Sequence, residues 1–170
     1  MNESPIIRLE GITFSYTAAT PVLKDLNFSL LAKDRIGLIA PNGSGKTTFF
    51  HLIMGLLKPT AGRIEIFGQP VAEEKDFVSV RRRIGLLFQD ADDQLFSPTV
   101  LEDVAFGPLN QGKSKQEAIA ISRKTLSFLG LEGFEDRITI RLSGGEIRLV
   151  SLATVLAMEP QAMLLDEPSA

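Results

Sequence analysis

The chain has 170 residues, of which 44% are hydrophobic and 23% charged, and its formal net charge is −3. This composition is typical of a folded globular protein and argues against a disordered or low-complexity chain. The acidic balance argues against the broad basic surface that non-specific nucleic-acid binding requires, so we expect no nucleic-acid partner. A chain without cysteine forms neither disulfides nor thiolate metal sites.

Membrane spans and export signals are not predicted. No apolar run approaches the roughly 20 residues that a membrane-spanning helix needs, and residues 1–5 lack the basic and apolar regions of a signal peptide. We therefore expect a soluble protein of the cytoplasm.

The N-terminal third is predicted to form strands and then a helix. Residues 6–10, 11–16 and 26–30 alternate apolar and polar side chains, which predicts short strands of an antiparallel layer. Residues 36–40 read IGLIA, and an apolar run without alternation is typical of a parallel strand buried on both faces. Apolar side chains then recur at helical spacing over residues 45–57.

The rest of the chain alternates between strands and helices. Strands are predicted at residues 63–67, 83–88 and 162–165, and helices at residues 100–106, 115–129 and 146–157. The predicted helices after Gln89 interrupt an otherwise alternating α/β pattern of strands and helices. We therefore predict one domain over residues 1–170 that contains a helical lobe at residues 90–141.

Residues 40–48, here called the phosphate loop, read APNGSGKTT and lie between a predicted buried strand and a predicted helix. At such a junction successive backbone N–H groups form a nest for anions, and the helix N-terminus adds its positive end. The small residues at 43–45 let a ligand approach the backbone closely. Lys46 can reach the β- and γ-phosphates of a nucleotide, Thr47 offers a hydroxyl to Mg²⁺, and Thr48 can bond another phosphate oxygen.

Ala40 departs from the usual phosphate-loop pattern, which has a glycine at this position. An alanine there requires that the backbone avoid positive φ values or accept mild strain. The alternative interpretation of the phosphate loop is a glycine-rich turn that binds no ligand.

A second candidate site is the pair of carboxylates after the predicted strand 162–165. Asp166 can hold Mg²⁺ through water, and Glu167 can polarise an attacking water as general base. Acidic residues at the end of a strand can also be purely structural.

Residues 142–146, here called the signature segment, read LSGGE and lie just before a predicted helix, about twenty residues ahead of Asp166. A hydroxyl, two glycines and a helix N-terminus together form a second anion-binding surface. The alternative is that Ser143 only caps the helix.

The phosphate loop, Gln89, the signature segment and the final D-E pair occur in an order and spacing that resemble the nucleotide-binding domain of ABC transporters. The resemblance implies an α/β P-loop NTPase core with an N-terminal antiparallel β lobe and an inserted helical lobe, incomplete at the C-terminus. It also implies ATP and Mg²⁺ as cofactors. A second ABC ATPase subunit is the implied partner in a head-to-tail dimer, with nucleotides held between phosphate loop and signature segment.

The resemblance also assigns roles to single residues. Tyr16 corresponds to the aromatic residue that stacks on adenine, and Gln89 to the glutamine that senses Mg²⁺ and the γ-phosphate. From the residues alone, Tyr16 could be a surface tyrosine and Gln89 a polar strand end. The implied catalytic residues are Lys46, Gln89 and Glu167, and the implied Mg²⁺ ligands are Thr47, Gln89 and Asp166. The implied nucleotide-binding residues are Tyr16, Asn42, Gly43, Ser44, Gly45, Lys46, Thr47, Thr48, Ser143, Gly144, Gly145 and Glu146.

Residues 88–108 and 156–160 are similar to the ATPases of energy-coupling-factor importers, particularly the cobalt and nickel type. That similarity implies ATP hydrolysis that powers uptake of a metal ion or a vitamin, with the chain bound peripherally to a membrane coupling protein at the cytoplasmic face. The apolar and acidic mixture at residues 92–96 suits a groove for a partner helix or a contact within the lobe.

Two other functions stay open from the sequence. His51 is expected to be structural, and the family's γ-phosphate histidine would follow the D-E pair, beyond Ala170. A truncated chain could therefore bind nucleotide without hydrolysing it effectively. The third possibility is a soluble ABC ATPase of DNA repair or iron-sulfur assembly, which the acidic balance and residues 92–96 disfavour.

Overall fold

The computed structural model describes residues 4–17, 20–90 and 94–167. The chain divides into two units, Met1–Arg81 and Arg82–Ala170. The first contains β1 (Ile7–Phe14), β2 (Leu23–Leu30), α1 (Lys46–Ile53), β3 (Ala61–Ile66), β4 (Gln69–Val71) and α2 (Glu74–Arg81). The second contains β5 (Ile84–Leu87), α3 (Val100–Asn110), α4 (Lys115–Phe128), a 3-10 turn (Thr139–Arg141), α5 (Gly144–Leu156) and β6 (Ala162–Leu165).

The first unit is built on a four-stranded antiparallel sheet in the order β2-β1-β3-β4. The two strands predicted at 6–10 and 11–16 are one continuous strand, β1. Its pairing with β2 shifts register between Leu9 and Ile12, and Gly11 between them has a φ of 62°. The bulge keeps Ile7, Leu9 and Ile12 all buried, although their spacing breaks strict alternation.

Helix α1 confirms the predicted helix but ends earlier than residue 57. Phe49, Phe50, Leu52 and Ile53 are buried on it, as the spacing predicted. Gly55 then adopts a φ of 67°, which ends the helix in the left-handed conformation that glycine tolerates. Strand β4 and helix α2 were not predicted, because β4 has three residues and α2 buries only Phe77 and Val80.

The prediction of a buried parallel strand at residues 36–40 is wrong for this structure. The segment forms no regular element, and Ile39 is 100% exposed. A strand needs a neighbour to pair its backbone N–H and C=O groups. The strand pairs that the structure describes join β1 to β2 and β3, β3 to β4, and β5 to β6, and none of them includes this segment. The apolar composition of residues 36–40 therefore favours a buried strand, but no strand among the described residues pairs with this segment.

The second unit combines a short parallel sheet with packed helices. Strands β5 and β6 pair in parallel, with Leu87 opposite Leu165, and all four residues of β5 are buried. Helices α3, α4 and α5 share a core that contains Val100, Val104, Leu126 and Val150. Helices α3 and α4 lie within residues 90–141, and the boundaries of the proposed helical lobe stay a prediction.

Helices α3, α4 and α5 each begin with a capping box. A serine or threonine accepts a hydrogen bond from the backbone N–H three residues later, and the glutamate there accepts one from the cap residue. In the parts of the chain that the structure describes, no helix is both long and apolar enough to cross a bilayer.

Candidate nucleotide-binding site

The phosphate loop is a glycine-dependent turn that leads into α1. Gly43 and Gly45 have φ values of 76° and 95°. A Cβ at Gly45 would stand 2.9 Å from Cγ1 of Val22, so both conformation and space require glycine there. Ala40 is not among the described non-glycine residues with positive φ, which confirms the expectation for this position. No side chain caps the N-terminus of α1, and its first turn has no acidic residue that would repel an anion.

Lys46 folds back onto the start of the phosphate loop. Its Nζ donates to the carbonyl oxygens of Ala40 at 3.1 Å and Pro41 at 3.3 Å. These acceptors are neutral, whereas phosphate oxygens are charged and form shorter, stronger hydrogen bonds with an ammonium group. The lysine is therefore placed beside the loop with acceptors that a polyphosphate can replace.

Tyr16, which follows β1, contacts Thr48 in the first turn of α1. The two residues are 32 positions apart in sequence. The Tyr16 hydroxyl and Thr48 Oγ1 are hydrogen-bonded at 3.0 Å. Thr48 is buried, whereas Tyr16 is 62% exposed and rests edge-on against Phe14, with 4.9 Å between ring centroids. An exposed ring with a fixed edge is suited to stack on a flat base. The structure thus joins the residue predicted to hold adenine to one predicted to hold phosphate.

Gln89 and the D-E pair are brought together at the carboxyl ends of β5 and β6. Gln89 Nε2 donates to Glu167 Oε2 at 3.1 Å, and the Asp166 N–H donates to the Leu87 carbonyl oxygen at 3.1 Å. Asp166 is 4% exposed. Glu167 has a φ of 46°, a left-handed conformation that costs a residue other than glycine about 1 to 3 kcal/mol. Such strain is common at functional sites.

The residues predicted to hold Mg²⁺ suit that ion chemically. Thr47, Gln89 and Asp166 offer oxygen donors, which Mg²⁺ prefers. Within residues 4–17, 20–90 and 94–167, no group of three His, Cys, Asp or Glu side chains could hold a metal. Mg²⁺ is usually bound by one or two carboxylates together with substrate phosphates and water, so the buried carboxylate of Asp166 fits this mode.

The signature segment forms the N-terminal end of α5. Ser143 is the cap residue, and its Oγ donates to Glu146 Oε2 at 2.8 Å while its N–H donates to the same oxygen at 2.8 Å. A Cβ at Gly144 or Gly145 would meet nothing within 4 Å, and neither glycine has a positive φ. The packing of the described residues therefore does not require glycine at either position, and the helix end is open to close approach from outside.

Arg137 is a neighbour of the signature segment that the sequence analysis missed. Arg137 Nη1 donates to Glu146 Oε1 at 2.7 Å, and its guanidinium stacks 3.6 Å from the centroid of the Phe134 ring. The N–H and hydroxyl of Ser143 lower the pKa of Glu146, and the charge of Arg137 lowers it further. Nothing in the sequence marks this pair, because the residues are nine positions apart and lie on either side of a 3-10 turn.

In the segment 92–96, the side chain of Gln94 is directed inward and that of Phe96 is exposed. Asp92 lies outside the described residues. Gln94 points inward, where its Oε1 accepts from the Phe88 N–H and its Nε2 donates to the Ser151 carbonyl and Thr154 Oγ1. Phe96 is exposed and meets Phe106 edge-on at 4.8 Å. Gln94 therefore bonds to residues of the second unit that lie outside residues 90–141, so it does not make a contact within the predicted lobe.

Comparison with known proteins identifies the family. The model of the ABC transporter family matches residues 23–170. The chain belongs to the ABC transporter family. A Nitratidesulfovibrio vulgaris protein assigned to ABC transporter ATP-binding proteins is 52% identical over 167 residues, which are 98% of this chain and 61% of that protein.

Two further relatives of this ABC transporter domain are informative. The energy-coupling factor transporter ATP-binding protein EcfA of Methanocaldococcus jannaschii is 44% identical over 166 residues, which are 97% of this chain and 60% of EcfA. The dimeric post-hydrolysis structure of the ATP-binding cassette MJ0796, bound to ADP and Pi, is 27% identical with a TM-score of 0.87, over 96% of this chain and 74% of that one. The chain thus has the ABC ATPase fold and spans about three fifths of the length of these two curated relatives.

Proposed function

We propose that the chain binds ATP with Mg²⁺ and hydrolyses it as the ATPase subunit of an energy-coupling-factor importer. The observation that carries the proposal is the hydrogen bond between Gln89 and Glu167 at the ends of β5 and β6. The bond places an amide donor on the proposed general base, and a general base needs an orienting partner.

The roles that we propose follow the chemistry of each side chain. Backbone amides of the phosphate loop and the ammonium of Lys46 hold the phosphate tail and neutralise its charge. Glu167 accepts a proton from the attacking water, and the amide of Gln89 holds the Glu167 carboxylate in one orientation. Thr47, Gln89 and Asp166 would hold Mg²⁺, which when bound neutralises phosphate charge. Tyr16 stacks on the adenine.

The partners that we propose are a second ABC ATPase subunit and a membrane coupling protein. The dimeric cassette with ADP and Pi supports the first, and the energy-coupling-factor relative supports the second. The exposed Phe96 and Phe106 supply an apolar surface of the kind that a partner helix covers. The chain would then act at the cytoplasmic face of the membrane, and the cargo would be a metal ion such as cobalt or nickel, or a vitamin.

The proposal is tested first by Lys46→Ala. Charge-assisted hydrogen bonds contribute about 1.5 to 3 kcal/mol, so ATP affinity should fall by about 10-fold to 100-fold in calorimetry. Lys58→Ala is the matched control, because the Lys58 side chain is exposed and pairs only loosely with Glu73 at 3.8 Å. Equal ATP affinity of Lys46→Ala and the unchanged chain would refute the assignment of the phosphate loop.

Hydrolysis and transport need separate measurements. Sustained phosphate release by the purified chain, abolished in Glu167→Gln, supports hydrolysis with Glu167 as base. Binding without release would leave a nucleotide-binding chain and refute the hydrolytic part. Co-purification with a membrane coupling protein supports import, and a failure to do so would favour a soluble ABC ATPase.

A further inference from the structure

The signature segment holds a negative charge at the place where it is expected to receive a negative ligand. Glu146 lies in the first turn of α5, within the capping box of Ser143. In the head-to-tail dimer that the family resemblance implies, the phosphates of a nucleotide reach this helix end, and a carboxylate beside them would oppose that approach. Phosphates can therefore bind at this helix end only if the negative charge of Glu146 is offset.

Arg137 is placed to offset the charge of Glu146. It binds Glu146 Oε1, while Ser143 binds Glu146 Oε2, so both oxygens of the carboxylate are engaged. The face of its guanidinium rests on Phe134, and its backbone carbonyl accepts from the Val100 N–H. The guanidinium is thus fixed from two sides before any ligand arrives, and its charge offsets that of Glu146.

We propose that Arg137 is a positioning residue that neutralises Glu146, so that the N-terminal end of α5 can receive the phosphates of a nucleotide held by a second copy of this chain. The inference rests on the proposed function. It is consistent with the open space at Gly144 and Gly145, where a Cβ would meet nothing within 4 Å and a partner's nucleotide has room to approach.

A purely structural role explains the pair less well. The side chains of Arg137 and Glu146 are 49% and 31% exposed. Ion pairs this exposed contribute little to stability, because solvent screens them. The capping box would survive without the arginine, since its hydrogen bonds join only Ser143 and Glu146. The charge of Arg137 therefore matters chiefly to a ligand that carries charge itself.

The test measures two quantities for each variant: nucleotide affinity by calorimetry, and ATP-dependent association of two copies by analytical ultracentrifugation. Arg137→Ala should leave nucleotide affinity within about twofold, because the phosphate loop is unchanged. Association should weaken by about tenfold, because the charge of Glu146 is exposed to the phosphates. Arg123→Ala on α4 is the matched control for loss of one exposed arginine and should change neither quantity.

The second-site variant distinguishes neutralisation from packing. Arg137→Ala combined with Glu146→Gln removes both charges and keeps the capping box, so association should return to within about threefold of the unchanged chain. Arg137→Lys keeps the charge and should retain most of the association.

Four results would overturn the inference. Association that is unaffected by Arg137→Ala would show that the arginine is not needed, and failure of the double variant to recover would show that it does not act through Glu146. An unchanged chain that binds ATP but does not associate would overturn the inference and leave nucleotide binding in place. An unchanged chain that binds no ATP would overturn the proposed function, and the inference with it.

Discussion

Single residues of the candidate site are hydrogen-bonded to partners 9 to 78 positions away in sequence. Tyr16 bonds to Thr48, Gln89 to Glu167, and Arg137 to Glu146. In each pair one member belongs to a motif that the sequence reveals, and the other orients it. Pre-oriented side chains lose less conformational freedom when a ligand arrives, so these bonds would favour the binding and catalysis that we propose.

Tyr16 is expected to contribute to ATP binding in two separable ways. Tyr16→Phe keeps the ring and loses the bond to Thr48, so affinity for both ATP and tripolyphosphate should fall by about twofold to tenfold. Tyr16→Ala also removes stacking, which contributes about 1 to 3 kcal/mol per base, so ATP affinity should fall further while tripolyphosphate affinity should not. Calorimetry with the two ligands measures both effects.

Phe14→Leu serves as a control for the packing of the Tyr16 ring, since Phe14 is buried beneath it. If Tyr16→Phe and Tyr16→Ala weaken ATP equally, the ring does not stack on the base. If neither variant weakens tripolyphosphate, the bond to Thr48 does not act on phosphate.

At the level of elements, capping boxes define the starts of α3, α4 and α5. The box at Ser143 coincides with the signature segment, whereas the one at Ser114 lies at an ordinary helix start. Ser114→Ala and Ser143→Ala should each lower the free energy of unfolding by about 1 kcal/mol in urea titrations. Only Ser143→Ala should also reduce phosphate release. Equal activity of the two variants would argue that Ser143 is a cap and nothing more.

Carboxylates at the starts of α2, α4 and α5 also predict how stability depends on pH. Hydrogen bonds from Ser114 lower the pKa of Glu117, those from Ser143 lower the pKa of Glu146, and backbone N–H groups of Glu73 and Ala72 lower the pKa of Asp76. A lowered pKa in the folded state gives stability that is complete above the unfolded value and is lost as the pH falls through the folded value.

The urea midpoint should therefore be nearly constant from pH 7 to about 5.5 and should fall below about pH 4.5. Glu117→Gln keeps the capping box without a titrating group, so its midpoint should fall less steeply over the acid range. A Glu117→Gln curve parallel to that of the unchanged chain would contradict the contribution of Glu117.

At the scale of the whole molecule, residues 36–40 are the point on which sequence and structure disagree. The sequence predicts a buried strand, and the structure leaves Ile36, Leu38 and Ile39 exposed. The phosphate loop follows this segment directly. The loop therefore leads into α1 without a paired strand before it among the described residues, and Gly45 lies where a Cβ would stand 2.9 Å from Val22 Cγ1.

Ile39→Asn in the 170-residue chain tests whether Ile39 is exposed, as in the structure, or buried in a strand, as the sequence predicts. An exposed side chain can be replaced with a change within about 0.5 kcal/mol in the free energy of unfolding. A buried isoleucine replaced by an unsatisfied polar group should cost about 2 to 5 kcal/mol. Urea denaturation measures the difference, with Ile66→Asn as the buried control, since Ile66 is 2% exposed. A large loss for Ile39→Asn would contradict the exposed segment.

Much of the fold was predictable because its signals are local. Apolar spacing predicted the buried faces of α1 and β5, and the serines and glutamates of the capping boxes lie three residues apart in the sequence. Strand β1 was predicted as two pieces because a bulge at Gly11 breaks the alternation without breaking the strand. Strand β4 and helix α2 carry too few apolar residues to show a period.

The sequence by itself determined the family, and it predicted the phosphate loop and the candidate catalytic residues, because these depend on residue types at short, fixed spacings. Only the tertiary structure decided which side chains orient them, that Gln94 turns inward, and that residues 36–40 find no strand partner among the described residues. These outcomes depend on which distant segments come together, and no local pattern contains that information. The ion pair of Arg137 with Glu146 is the clearest case, since neither residue is informative until the turn between them places the two charges side by side.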